Sequence, residues 1–157
     1  MSKQTARPTA TFVYVTFIRS TAEKVFEALT RPEMTRRYWA HDNVSDWKPG
    51  SKWAHVNNDD QKTVHVIGKV VENVPPRRLV FTWAAPENEG NPDKYSRVTF
   101  ELQQQADFVK LTCTHDELEP DSAMLKGVSS GWPLVLSSLK TLLETGQGVD
   151  IYKVRAA

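Results

Sequence analysis

Residues 11–18 (TFVYVTFI) are β-branched or aromatic throughout, which suits a strand. Phe12, Tyr14, Thr16 and Ile18 fall on one face and Val13, Val15 and Phe17 on the other, so both faces are expected to be at least partly covered. Two helix starts follow. Ser20 with Glu23 has capping-box spacing, and Val25, Phe26 and Leu29 form a short apolar stripe behind it. Thr30 with Glu33 repeats the spacing, with Pro32 in the first turn, where a missing N–H costs nothing. Each helix has room for about two turns and needs a sheet to pack against.

From residue 44 the pattern is strand after strand. Residues 47–50 (WKPG) form a turn, residues 51–56 alternate, and residues 57–60 (NNDD) read as a loop or hairpin tip. Residues 63–74 are a long β-branched run, residues 75–78 (PPRR) a turn, and residues 79–83 a short strand. Residues 85–94 carry Pro, Gly and Asn and read as a loop, after which residues 95–104 and 108–117 are two strands joined by residues 105–107. That pattern predicts about six strands with short links, an antiparallel meander. The chain closes on a helical segment capped by Asp121 or Ser122. Met124, Val128, Trp132, Val135, Leu139, Leu142 and Leu143 recur along it at helical spacing, and Gly146 ends it. Pro133 removes one backbone bond and is expected to kink or split this helix near Gly131.

The order strand, two short helices, five strands, long helix predicts an α+β fold. A twisted antiparallel sheet curves around the final helix, and the short helices plug one end. A space between sheet and helix would suit a small molecule. Strand parity places Val109, Leu111, Cys113 and His115 on the inner face, together with Val98, Phe100, Leu102, Leu79, Phe81 and Trp83. Trp53 and His55 share a face that is inner if the sheet curls as expected. The phase of residues 63–74 stays open, because Val66 and Val70 compete with Ile67 and Val71.

The chain resembles the Hsp 90 ATPase activator homologue-like proteins of the START/Bet v 1-like (SRPBCC) superfamily over residues 11–146. The matching pieces begin with the first strand running into Ser20-Thr-Ala-Glu-Lys-Val-Phe-Glu-Ala-Leu29, Thr30-Arg-Pro-Glu33 before Tyr38-Trp39, and Pro49-Gly50. They continue with Gly68-Lys-Val-Val-Glu-Asn-Val-Pro75, Arg78-Leu-Val-Phe-Thr-Trp83, Val98-Thr-Phe-Glu-Leu102, Leu111-Thr-Cys-Thr-His115 and Gly131-Trp132. The resemblance implies a helix-grip fold with a cavity between sheet and C-terminal helix. Members of the superfamily bind lipids, hormones or polyketides, and some are cyclases or hydrolases. The matched stretch reads as one domain over residues 11–146; the polar residues 1–10 read as a flexible lead-in and residues 147–157 as a C-terminal tail.

Composition narrows the chemistry. Twenty Lys and Arg against nineteen Asp and Glu give a net charge of +1, which argues against a nucleic-acid face even though Arg77-Arg78 and Arg36-Arg37 could form a small basic patch. No apolar run reaches the length of a membrane span, and no secretory signal is recognisable, so the cytoplasm is the expected location. A single cysteine, Cys113, leaves no internal disulfide. The four histidines, His41, His55, His65 and His115, lack metal-ligand spacing, so no metal and no cofactor are expected.

Five tryptophans in 157 residues is the unusual number. Trp39, Trp53, Trp83 and Trp132 could wall a cavity or simply fill the core. Tyr38 could cap the mouth and His55 could share the space. Phe81, Phe100, Cys113, Met124 and Val128 complete the expected ligand-binding set, and His115 is the first candidate acid/base, with His55 the second. Cys113 reads as a small buried hydrophobe rather than a nucleophile. Three functions remain open: binding of a small hydrophobic or aromatic, lipid- or polyketide-like molecule; an enzyme of the same fold, a cyclase, dehydratase or hydrolase; and a chaperone- or regulator-interacting module. A monomer or a homodimer is compatible with the apolar first strand.

Overall fold

A computed structural model of the chain describes residues 7–156. The element order is β1 (Ala10–Arg19), α1 (Ala22–Thr30), α2 (Pro32–Trp39), β2 (His41–Val44), β3 (Lys52–Asn57), β4 (Val64–Val74) and β5 (Arg78–Trp83), followed by β6 (Ser96–Gln105), β7 (Phe108–Leu118), α3 (Ala123–Thr145) and α4 (Ile151–Ala156). The strands form one antiparallel sheet in the order β1-β7-β6-β5-β4-β3-β2. It curls as a half-barrel around α3, as the order of elements predicts. Residues 1–6 of the expected lead-in lie outside the described residues, and the first strand already begins at Ala10. No helix among the described residues is long and apolar enough to cross a membrane.

The inner face of the sheet follows strand parity. Val109, Leu111, Cys113 and His115 on β7 are fully buried, as are Leu79 on β5 and Val98 on β6. The register settles the phase of β4. Trp53 lies opposite Gly68, His55 opposite Val66, and Val70 opposite Phe81. Directly opposed residues share a face, so Val66, Gly68 and Val70 point inward and Val71 outward. Gly68 is required there: a Cβ would stand 1.9 Å from the Thr82 carbonyl oxygen and 2.5 Å from the Trp53 indole nitrogen. The missing side chain lets Trp53 Nε1–H donate to that same carbonyl at 2.7 Å.

Several local expectations are corrected. The cap of α1 is Thr21, whose hydroxyl accepts from the Lys24 amide at 3.2 Å, not Ser20. The Thr30 hydroxyl donates back to the Phe26 carbonyl, and α2 starts on Arg31 without a side-chain cap, because Pro32 holds the preceding residue extended and itself fits the first turn. A seventh strand, β2, was not expected, since HDNV shows no apolar alternation. It is held by pairing with β3, by Asn43 N–H donating to Thr35 Oγ1, and by a bidentate Arg36–Asp42 pair.

The two faces of β1 are not equivalent. Phe12, Tyr14 and Ile18 pack inward, while Val13, Val15 and Phe17 are about half exposed, because no helix among the described residues covers the outside of the sheet. Ser122 caps α3, accepting from the Leu125 amide, and Gly146 ends it at φ 89°. Pro133 does not split it: the helix runs unbroken from Ala123 to Thr145, packing on the sheet having outweighed one lost backbone bond. Beyond Gly146 the chain folds back. Ser138 Oγ both donates to the Val149 carbonyl and accepts from its amide, and Ile151 of α4 is buried.

Candidate functional site

A cavity of about 580 Å³ opens between the β2–β5 end of the sheet and the helices. Trp39 from α2, His55 from β3 and Trp83 from β5 form its inner wall, and Met124, Val128, Trp132 and Val135 of α3 its roof. Six of the sequence-predicted residues therefore border it: Trp39, His55, Trp83, Met124, Val128 and Trp132. Their spacing on strand and helix is what aims them at one space. The three indoles brace each other, with ring centroids 6.4 Å (Trp39–Trp83), 5.3 Å (Trp39–Trp132) and 5.4 Å (Trp83–Trp132) apart. Trp83 Nε1–H also donates to the Met124 sulfur at 3.3 Å.

The other six predicted residues stand behind this wall or away from it. Trp53, Phe81 and Phe100 pack edge-on or tilted against one another, and Trp47 closes that end of the core by donating from its indole to the Thr30 carbonyl. Cys113 is fully buried, and burial pushes its thiol up, far from the thiolate a nucleophile needs. Tyr38 does not cap the mouth. Its ring is 1% exposed and its hydroxyl donates to the Ala28 carbonyl at 2.8 Å, so it pins α2 to α1.

His115 is placed on the inner face as expected, yet it is fully buried and does not reach the cavity. Its surroundings fix its protons. An indole nitrogen only donates, so Trp132 Nε1–H donates to His115 Nδ1 at 3.0 Å. The remaining proton sits on Nε2 and is donated to Ser96 Oγ at 2.7 Å, whose own proton goes to the Trp83 carbonyl at 3.2 Å. Desolvation pulls the imidazole down to about 3. This relay ends on a carbonyl, which cannot pass a proton on. It fixes a neutral histidine that orients Trp132 and supports the wall, and it leaves no lone pair for general-base work.

The histidines that are scattered in sequence come together at the other side of the cavity. His41, His55 and His65 all border it. His41 and His55 stack at 3.9 Å with planes 7° apart, and His41 Nε2 meets His65 Nδ1 at 2.8 Å. His41 Nδ1 faces the Trp39 carbonyl at 3.0 Å, and because a carbonyl only accepts, that nitrogen carries the proton. Nε2 of His41 then accepts from His65. Burial lowers His41, and lowers His55 well below the ordinary histidine value, with the neighbouring imidazoles adding to the effect on His55. Parallel stacked rings direct their lone pairs side by side rather than at a common point. Among the described residues no group of three His, Cys, Asp or Glu is arranged to hold a metal ion.

Sequence reasoning missed His41 and His65, which only the β2–β3–β4 register unites, and Gly127, Gly131, Ile151, Tyr152 and Arg155, which also border the cavity. The apolar Val149 and Ile151 were the available sign that the last residues return to the core. The arginine pairs do not make a free basic patch. Arg36 is tied to Asp42, Arg78 to Glu72 and Glu101, and Arg37 donates to the Gly146 carbonyl.

A family model described as Activator of Hsp90 ATPase homolog 1-like protein matches residues 19–144. No curated protein matches the chain. Among solved structures, the Aha1 dimer from Colwellia psychrerythraea is similar at a TM-score of 0.73 and 20% identity, over 88% of this chain and 99% of that one. Protein MLL2253 from Mesorhizobium loti is similar at a TM-score of 0.72 and 25% identity, over 86% and 97%. DynU16, from the dynemicin biosynthetic locus, is similar at a TM-score of 0.68 and 19% identity, over 88% of this chain and 48% of that one.

Proposed function

The chain belongs to the Activator of Hsp90 ATPase homolog 1-like family, and on that premise we propose that it binds a small hydrophobic, aromatic molecule in the cavity between sheet and α3. One observation carries this reading: three indoles packed against one another border about 580 Å³ of space and do not fill it. Apolar walls with a few polar groups are what small-molecule sites need. The location of DynU16 in a biosynthetic locus supports a small-molecule role for this fold. The occupied relay around His115 and the raised Cys113 thiol favour binding over turnover.

Thermal-shift screening against aromatic, lipid and polyketide panels, followed by tryptophan fluorescence titration, tests it. A ligand at a hundred times its Kd stabilises the folded state by about 2.7 kcal/mol, or roughly 5–10 °C in a domain of this size. A polycyclic aromatic hit should reach that range and quench the indoles. Silence from every panel would refute the proposal.

A further inference from the structure

The polar atoms of the cavity define its ligand more narrowly. Trp39 and His55 are 7% and 4% exposed, and their rings lie 4.6 Å apart. His55 Nδ1 faces Asn43 Oδ1 at 2.5 Å and donates to it, which leaves Nε2 as a bare lone pair. Neither that nitrogen nor the Trp39 indole N–H has a hydrogen-bond partner among the described residues. Yet neither is sealed in. The fully enclosed side-chain nitrogen and oxygen atoms without a partner are Arg7 Nε and Asn73 Oδ1. The two nitrogens therefore keep some accessible surface, and both residues border this cavity. His55 thus brings one unspent acceptor and Trp39 one unspent donor, on neighbouring rings that both border the cavity. A hydroxyl suits such a pair, since it can donate to His55 and accept from Trp39. A ligand that displaces water from these atoms without replacing its hydrogen bonds leaves them unpaired at a cost, so the site favours a ligand that carries that group.

The mouth carries a different charge. Arg155 of α4 borders the cavity, and its guanidinium lies over Gly131, where a Cβ would come within 3.0 Å of Nη2. Among the described residues no carboxylate pairs with it and no acidic side chain lines the cavity. The nearby acids Asp59 and Asp60 belong to the β3–β4 loop, where Asp60 accepts from Thr63 and Lys62.

We propose that the ligand is a planar aromatic acid bearing a hydroxyl: the hydroxyl meets the polar atoms of Trp39 and His55, the rings lie against the indoles, and the carboxylate reaches Arg155. This rests on the small-molecule reading above and specifies its chemistry.

Four naphthalene probes separate the two claims: naphthalene, 2-naphthoate, 6-hydroxy-2-naphthoate and 6-hydroxy-2-naphthamide, titrated by indole quenching at pH 7. The hydroxy acid should bind about tenfold more tightly than 2-naphthoate, which leaves the buried pair unmet. It should bind roughly three- to tenfold more tightly than the amide, which lacks the charge. Arg155→Ala should abolish the second difference and keep the first, and Arg155→Lys should retain most of both. Equal affinity for the hydroxy acid and either analogue overturns this assignment, while binding of naphthalene itself leaves the apolar-cavity proposal standing. Failure of all four to bind overturns both.

Discussion

Replacing Gly127 with leucine tests the open cavity in two directions at once. Gly127 lies in the second turn of α3 at the cavity rim, and a Cβ added there meets no atom within 4 Å. Glycine inside a helix is about 1 kcal/mol less favourable than alanine, and leucine is nearly as good a helix former as alanine. The backbone is already helical, so the change also removes unfolded-state freedom without native strain. Gly127→Ala should therefore stabilise by about 1 kcal/mol, a rise of roughly 2–4 °C in Tm for a domain of this length. Gly127→Leu should keep that gain while its side chain occupies the entrance beside Met124 and Gly131, lowering the affinity for aromatic probes about tenfold or more. Urea unfolding gives the first number and indole quenching the second. If the leucine variant is less stable than the parent, the space is not open. If it is stable and binds undiminished, the ligand enters elsewhere.

Stability should also depend on acid through His115. Its folded-state value is held near 3 against an ordinary 6.5, so the unfolded chain binds more protons below pH 6.5. Stability is full above that pH and falls as pH drops toward 3, by an amount on the order of 4–5 kcal/mol. Urea unfolding from pH 7 to 4 should show the decline, and His115→Asn should flatten part of it; an unchanged slope would mean that His115 is not held neutral. Gly68→Ala should cost at least about 3 kcal/mol, since its Cβ meets a backbone oxygen that cannot swing away. Normal urea stability of that variant would contradict the close approach of β4 and β5. Tyr38→Phe should lose about 1–2 kcal/mol with its buried hydrogen bond to Ala28, while leaving probe affinity unaltered, and a marked loss of affinity would put Tyr38 back at the site.

Much of this architecture is legible along the chain because its signals are local. Side chains alternate across a strand and recur at helical spacing whatever lies beyond, so the inner faces of β5, β6 and β7 and the buried stripe of α3 follow from residue order. Cap positions slipped because Ser20, Thr21 and Thr30 are chemically equivalent candidates, and only backbone angles choose among them. The strand β2 was hidden because its buried Asp42 and Asn43 are polar, made tolerable by Arg36 and Thr35 on α2.

What the sequence determined by itself is the set of surfaces that must be buried, and hence an antiparallel sheet folded over one long helix. Which of those surfaces meet protein and which meet empty space is a matter of three-dimensional register. Pairing of β2, β3 and β4 brings His41, His55 and His65 to one place. The return of the chain after Gly146 sets Tyr152 and Arg155 beside the cavity, and the relay through Ser96 to the Trp83 carbonyl fixes which nitrogen of His115 carries the proton. Hydrophobic burial is nondirectional and can be read from composition and period. Hydrogen bonds are directional and short-ranged, so the chemistry they select exists only once the chain has closed.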